Sequence, residues 1–148
     1  MPVPALEFAK LIPTRAKPKR EEDGFQHWAV NYLRYTLPKH WIVHHSPNEE
    51  ASKWGRIRET KLGRVNGFSD LIILGEEDVG ALVPQIVPAA YLIELKSRKG
   101  SMTKGQKEFR AAARRLGFKA GVAKTHEELK ALVVEWGLPT SDMELRKE

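Results

Sequence analysis

The chain has 148 residues, of which 41% are hydrophobic and 30% are charged, a balance typical of a globular domain. It contains no cysteine, which excludes disulfides, thiolate metal sites and cysteine nucleophiles. No apolar run approaches the roughly 20 residues that span a bilayer, and the N-terminus lacks the continuous apolar core of a secretory signal. We therefore expect a cytoplasmic protein with no membrane partner.

The positive charge of the chain is unevenly distributed. The net charge is +6, with a sequence pI of about 9.6. The segment from Lys96 to Lys119 holds nine basic residues and one acid, so it alone carries +8. Concentrated positive charge attracts polyanions, most often nucleic acid, although a solvated lysine-rich surface would give the same pattern.

The first third of the chain combines an arm with two predicted helices. Four prolines in residues 1–20 predict a basic, extended N-terminal arm. Apolar residues at helical spacing predict a helix over 21–37, and a β-prone segment follows over 41–45. Residues 49–62 are polar and weakly periodic, which predicts a partly ordered helix, and 63–67 read as a loop.

The rest of the chain alternates between strand and helix patterns. In chain order these are a strand over 70–74, a loop or short hairpin over 75–89, a strand over 90–96, a helix over 103–116, a strand over 118–123 and a helix over 125–136. The apolar stripe of the first of these helices comprises Phe109, Ala112, Ala113 and Leu116. Thr125 and Glu128 have the spacing of a capping box at the start of the last helix.

This order of elements predicts the fold class. Strands interleaved with helices indicate an α/β sandwich, in which a mixed β-sheet is flanked by α-helices. We expect one domain over residues 21–137, preceded by the arm and followed by a charged tail over 138–148.

Two acids and a lysine lie at the ends of the two most apolar strands. Side chains alternate along a strand, so Glu94 and Lys96 share one face. Asp70 opens the other apolar strand, and it meets Glu94 if the two strands are neighbours. Two carboxylates with room for water suit Mg²⁺ or Mn²⁺, which polarises a phosphoryl oxygen and lowers the pKa of a bound water. Lys96 could orient or deprotonate that water or offset charge in the transition state, whereas an exposed Glu-x-Lys ion pair is the bland alternative.

The sequence resembles the VRR-NUC group of PD-(D/E)xK nucleases. The resemblance covers about residues 20–137 and includes Glu22-x-x-x-Gln26, Gly67-Phe-Ser-Asp70, Ile93-Glu-Leu-Lys96 and a basic segment that ends at Gln106. It implies the PD-(D/E)xK (restriction-endonuclease-like) core. It also implies that Asp70, Glu94 and the Leu95 carbonyl bind the metal and that Lys96 is the catalytic lysine. Glu22 would then reach the water shell of the metal or Lys96, and Gln106 would steady the site.

The sequence departs from the family pattern at one position and leaves one assignment open. Ser69 stands where the family often has proline, and we expect this change to affect rigidity and not chemistry. Glu21 lies beside Glu22, and the spacing to Gln26 favours Glu22 as the acid that faces inward.

Basic and aromatic side chains supply candidate DNA contacts, with a solvated face as the alternative for several of them. These candidates are Lys99, Lys104, Lys107, Arg110, Arg114, Arg115, Trp54, Arg56 and Arg58.

The residues and the resemblance together predict a Mg²⁺-dependent DNA endonuclease, with Mn²⁺ able to substitute. Stand-alone members of the family resemble Holliday-junction resolvases, which implies a homodimer that cuts branched DNA during replication, recombination or repair. The resemblance also implies a bacterial cell or a phage-infected host. The alternatives are a non-catalytic DNA-binding module on the same fold and an exonuclease or restriction-type nuclease.

Overall fold

The computed structural model of the chain describes residues 20–46, 61–63, 65 and 67–144. In chain order the elements are α1 (Arg20–Thr36), β1 (Ile42–His45), β2 (Leu71–Asp78), β3 (Ile86–Leu95), α2 (Lys104–Arg115), β4 (Lys119–Ala123), α3 (His126–Glu135) and α4 (Ser141–Glu144). The predicted α/β architecture, a mixed sheet flanked by helices, is confirmed.

The four strands form one sheet in the order β1-β2-β3-β4. β2 is antiparallel to both β1 and β3, while β4 is parallel to β3. A parallel pair needs a crossover connection, and here α2 provides it between β3 and β4. The start of β2 and the ends of β3 and β4 therefore lie at the same edge of the sheet.

The main core lies between one face of the sheet and the helices α1 and α3. Leu71 and Ile73 alternate along β2 toward this face, and Ile93 occupies the same face of β3. Ala29 and Leu33 of α1 are four residues apart, so they present one apolar stripe to these strands. Burial of these side chains fixes the register of the sheet, because a slip by one residue would turn them all outward.

The second face of the sheet packs against α2 through a smaller cluster. Leu92, Ala113 and Ala120 form its buried part, with Phe109 packed against it. Two of the four residues predicted for the apolar stripe of α2 are wrong, because Ala112 is exposed and Leu116 is 78% exposed. The contact is narrower than predicted because α2 meets the sheet along a single line of residues spaced four apart.

The predicted loop or short hairpin over residues 75–89 is a hairpin, and strands occupy most of it. β2 continues to Asp78, whose Oδ1 accepts hydrogen bonds of 2.9 Å from two backbone N–H groups across the turn. Pro88 fits within β3 because pairing with β4 begins only at Tyr91. At Pro88 the strand has one neighbour, so the missing N–H group leaves no acceptor unpaired on that side.

The chain continues to pack on the domain beyond residue 137, where we expected the tail to begin. Leu138 is 1% exposed, and Thr140 is also buried. The hydroxyl of Tyr32 in α1 donates a 2.5 Å hydrogen bond to Asp142 in α4. Residues 138–142 therefore belong to the packed domain.

The predicted capping box of α3 is half formed. The Thr125 hydroxyl accepts a 3.2 Å hydrogen bond from the Glu128 N–H. The Glu128 carboxylate accepts from the N–H of Lys124, not from that of Thr125.

Several predictions concern residues outside those described. They are the arm over 1–20 apart from the backbone of Arg20, the segment 47–60 with Trp54, Arg56 and Arg58, and the side chain of Glu22. Within the described ranges, no helix is long and apolar enough to cross a membrane.

Candidate active site

Asp70 and Glu94 lie opposite each other at one edge of the sheet. Leu71 pairs with Ile93 in the antiparallel register of β2 and β3, so the preceding Asp70 faces Glu94. Both side chains point to the α2 side of the sheet, and they are 5% and 3% exposed. The structure therefore brings together the two acids that the sequence places 24 positions apart.

The two carboxylates are held by different partners. Oδ2 of Asp70 accepts a 2.8 Å hydrogen bond from the N–H of Leu95. Oε1 of Glu94 accepts a 2.5 Å hydrogen bond from Nε2 of Gln106 and lies 3.4 Å from Nζ of Lys96. Oε2 of Glu94 is buried and has no hydrogen-bond partner among the described residues. One oxygen of Glu94 is thus held by the protein, and the other is available to a ligand.

The electrostatics of the pair favour a bound cation. Burial raises the pKa of Glu94 to about 8, and the negative charge of Asp70 and a shared hydrogen bond with it act in the same direction. Lys96 acts in the opposite direction but does not cancel these effects. The like charges of the two carboxyl groups oppose ionisation, and Oε2 of Glu94 has no hydrogen-bond partner among the described residues. A positive charge bound between the two groups would therefore stabilise the ionised pair.

Gln106 is oriented by the start of α2. Thr103 is the N-cap residue, and its hydroxyl accepts from the N–H of Gln106 at 3.2 Å. Oε1 of Gln106 accepts in return from the N–H of Thr103 at 2.9 Å, which completes a capping box. Because its oxygen is used in the cap, the amide of Gln106 directs its NH₂ group toward Glu94.

A close backbone approach holds α2 over the acid pair. Gly67 has φ +74°, and a Cβ atom there would overlap the carbonyl group of Gly105. The rings of Phe68 and Phe109 pack beside this contact, with centroids 4.8 Å apart. We did not identify Gly67 and Gly105 as a pair from the sequence, since nothing local in the chain shows that two distant glycines meet.

The residues at this edge fit a hard divalent cation. Asp70 and Glu94 supply carboxylate oxygens. The backbone carbonyl of Leu95, the residue between Glu94 and Lys96, is the third candidate oxygen ligand. In the described part of the chain no group of three His, Cys, Asp or Glu side chains could hold a metal. A cation here would therefore rely on two carboxylates, backbone and water, which is the pattern that Mg²⁺ accepts.

The predicted DNA contacts on and near α2 differ in their solvent exposure and in their contacts within the protein. Lys99, Lys107 and Arg115 are exposed, and Arg110 is half-buried. Lys104 is exposed and lies 3.8 Å from Glu108 in a surface ion pair, which contributes little.

Arg114 differs from the other candidates because it also has a role within the fold. Its Nε donates a 2.9 Å hydrogen bond to the carbonyl oxygen of Ala120, which ties α2 to β4.

A buried acid pair and a lysine at the edge of a mixed sheet define a nuclease-type domain. Residues 10–127, well over half of the chain, match the model of the VRR-NUC domain. The chain therefore belongs to the VRR-NUC family. It is also similar to a solved structure described as a VRR-NUC domain protein, with a TM-score of 0.58 and 22% identity over 78% of this chain and 86% of that one. That likeness shows the shared fold. No curated protein matches the chain.

Proposed function

We propose that the protein is a metal-dependent, structure-selective DNA endonuclease that hydrolyses phosphodiester bonds with Mg²⁺, for which Mn²⁺ can substitute. The observation that carries this proposal is the buried Asp70–Glu94 pair, whose Glu94 Oε2 has no partner among the described residues. Maintaining two adjacent buried carboxyl groups is unfavourable for stability alone. Such an arrangement is expected where a cation performs chemistry.

Asp70, Glu94 and the Leu95 carbonyl would hold the cation. When bound, it supplies Lewis-acid polarisation of the phosphoryl group and lowers the pKa of a water molecule. Gln106 keeps the carboxylate of Glu94 in one orientation through Oε1, which leaves Oε2 without a hydrogen-bond partner among the described residues.

Lys96 is suited to act on the substrate directly. Its Nζ lies 3.4 Å from Oε1 of Glu94, and its side chain is 14% exposed, so the ammonium group is positioned at the site and still reachable. A hydrogen bond of 3.0 Å from its backbone N–H to the Ala123 carbonyl fixes the end of β3. The ammonium group offsets negative charge that develops on the phosphate oxygens, and it orients the attacking water.

The basic surface of α2 supports DNA as the substrate, because it adjoins the site. Lys107 on this surface directly follows Gln106, which contacts Glu94. α2 has basic residues in its last turn and no acid in its first turn. Branched DNA and a homodimer extend the proposal, since two symmetric cuts across a junction need two related active sites. A non-catalytic DNA-binding module on this fold would have no need of the acid pair and the lysine together.

Cleavage assays with defined substrates test the proposal. Labelled four-way junction, flap, single-stranded and linear duplex DNA are incubated with Mg²⁺, Mn²⁺ or EDTA. We expect metal-dependent cutting that Asp70→Asn abolishes and Glu135→Gln retains, because Glu135 is exposed and forms no hydrogen bond or ion pair with the described residues. Internal products indicate an endonuclease, whereas mononucleotide release indicates an exonuclease. DNA binding without cutting under every condition would reject the enzyme and favour the binding module.

A further inference from the structure

A cavity of about 210 Å³ lies just beyond the carboxyl ends of β3 and β4. Residues that follow each strand line it, Ser97 and Arg98 after β3 and Lys124 and Thr125 after β4. Since a water molecule occupies about 30 Å³, the cavity has room for a tetrahedral oxyanion and several waters. It is separate from the acid pair, because its lining includes Phe25 of α1, a residue of the main core, and none of Asp70, Glu94 and Lys96.

Two cationic side chains, those of Arg98 and Lys124, line this cavity. Among the described residues, neither side chain forms a hydrogen bond or a close ion pair, and Arg98 interacts with Glu127 only through its charge. They come from different loops, so their meeting is a product of the parallel pairing of β3 and β4 and not of a local charge run. A phosphate group between them would be contacted from two directions.

One acid, Glu127, also lines the cavity. A hydrogen bond from its own backbone N–H is the main cause that lowers the pKa of Glu127, and the Thr125 hydroxyl and the charges of His126 and Arg98 contribute as well. Glu127 therefore offsets part of the charge of Arg98, and the lining still holds two cations against one exposed carboxylate.

We propose that this cavity binds a phosphate group of the DNA, one or two nucleotides from the bond that is cut. The inference rests on the proposed nuclease function. Arg98 is two residues beyond Lys96, and two residues span at most about 7 Å, which is comparable with the spacing of one or two phosphates along a strand. The bound strand therefore crosses the edge of the sheet, from the α2 side to the side of α1 and α3.

Salt-dependent binding tests the site directly. Fluorescence anisotropy with labelled DNA in EDTA is measured for the wild type, Arg98→Gln, Lys124→Gln and the charge-matched control Lys39→Gln. Lys39 is exposed and precedes β1, at the opposite end of the sheet. We expect each of the two cavity variants to reduce the slope of log K against log salt by up to about 0.9, the value for the one phosphate that the two cations share. Lys39→Gln leaves the slope unchanged, and Arg98→Lys and Lys124→Arg restore it.

Three DNA substrates distinguish an internal phosphate of the strand from a terminal phosphate. A closed dumbbell duplex has only internal phosphates, whereas nicked duplexes with 5′-phosphate or 5′-hydroxyl ends differ in a terminal one. A reduced slope on the dumbbell assigns the cavity to the continuous backbone. A reduction confined to 5′-phosphorylated DNA assigns it to a strand end.

Failure of this inference can be separated from failure of the nuclease assignment. If the wild type binds and cuts DNA while the cavity variants match Lys39→Gln in slope, the phosphate site is refuted and the nuclease stands. If the wild type neither binds nor cuts DNA, both are refuted. Thermal unfolding is used to check that every variant has the wild-type Tm, so that a changed slope reports altered DNA binding and not unfolding.

Discussion

Replacement of Glu94 by glutamine is expected to stabilise the metal-free protein while it destroys the site. In the folded protein the pKa of Glu94 is about 8, compared with an ordinary value of 4.5. Because the folded state holds this proton more tightly than the unfolded state, the stabilising contribution is complete below pH 4.5 and is lost as the pH rises to about 8. At about 1.4 kcal/mol per pH unit, the loss is of the order of 5 kcal/mol. Glutamine has nearly the same shape and does not ionise, so the variant avoids this loss.

Thermal unfolding in EDTA between about pH 5 and pH 8.5 measures the effect. For a domain of this size, each kcal/mol corresponds to about 2–4 °C in Tm. We expect Glu94→Gln to melt near the wild-type temperature at pH 5 and well above it at pH 8. The difference between the two proteins isolates this group from all other titrations.

The matched control and the response to metal complete the test. Glu135→Gln removes an exposed acid, so its free energy of unfolding should follow that of the wild type across the pH range to within about 1 kcal/mol, or roughly 2–4 °C in Tm. Mg²⁺ should raise the Tm of the wild type, more at pH 8 than at pH 6 because the cation binds the ionised carboxylate, and it should leave Glu94→Gln unchanged. Identical pH profiles for Glu94→Gln and the wild type in EDTA would refute the account of a strained acid pair.

Three further outcomes follow from the same geometry. Lys96→Ala should reduce cleavage by about 10²–10⁴-fold while anisotropy shows DNA binding retained; loss of both together would make the lysine structural. Gly67→Ala places a methyl group against Gly105 at a positive φ, so denaturant unfolding should show a loss of about 1–3 kcal/mol; unchanged stability would contradict the close approach. Arg114→Gln should cost about 1 kcal/mol through its lost hydrogen bond, whereas Arg115→Gln should leave stability unchanged and lower the salt slope of DNA binding. Equal stabilities of these two arginine variants would contradict the distinction.

The sequence was sufficient to predict which strand residues share a face, because the two-residue period is a local property. It therefore predicted that Glu94 and Lys96 lie together. It made the meeting of Asp70 and Glu94 conditional on their strands being neighbours, since register is set by burial across the whole sheet. The structure confirms that β2 and β3 are neighbours.

Predictions were wrong or incomplete where a local pattern was overridden by its surroundings. The glycines and prolines of residues 75–89 suggested a loop or short hairpin, and the hairpin proved to consist mostly of paired strand, because Pro88 lies where β3 has a neighbour on one side only. Leu116 continued an apolar stripe in the sequence, yet it lies just beyond the part of α2 that reaches the sheet. The spacing from Thr103 to Gln106 matches a capping box and could have predicted how the amide is oriented.

Lys96 compensates the acid pair only in part, and the pair persists because the strands that carry it also carry the core. Leu71 directly follows Asp70, and Ile93 and Leu95 lie on either side of Glu94, all three fully buried on the opposite face. Burial of a Leu or Ile side chain contributes about 1.5–3 kcal/mol, so these three together offset a cost of the order of 5 kcal/mol for the ionised pair. The alternation of the strand thus places each unfavourable carboxylate next to the apolar side chains that hold it there. A cation bound at the site would release the remaining electrostatic cost, so the free energy that the metal-free pair costs the fold would add to the affinity for the proposed metal.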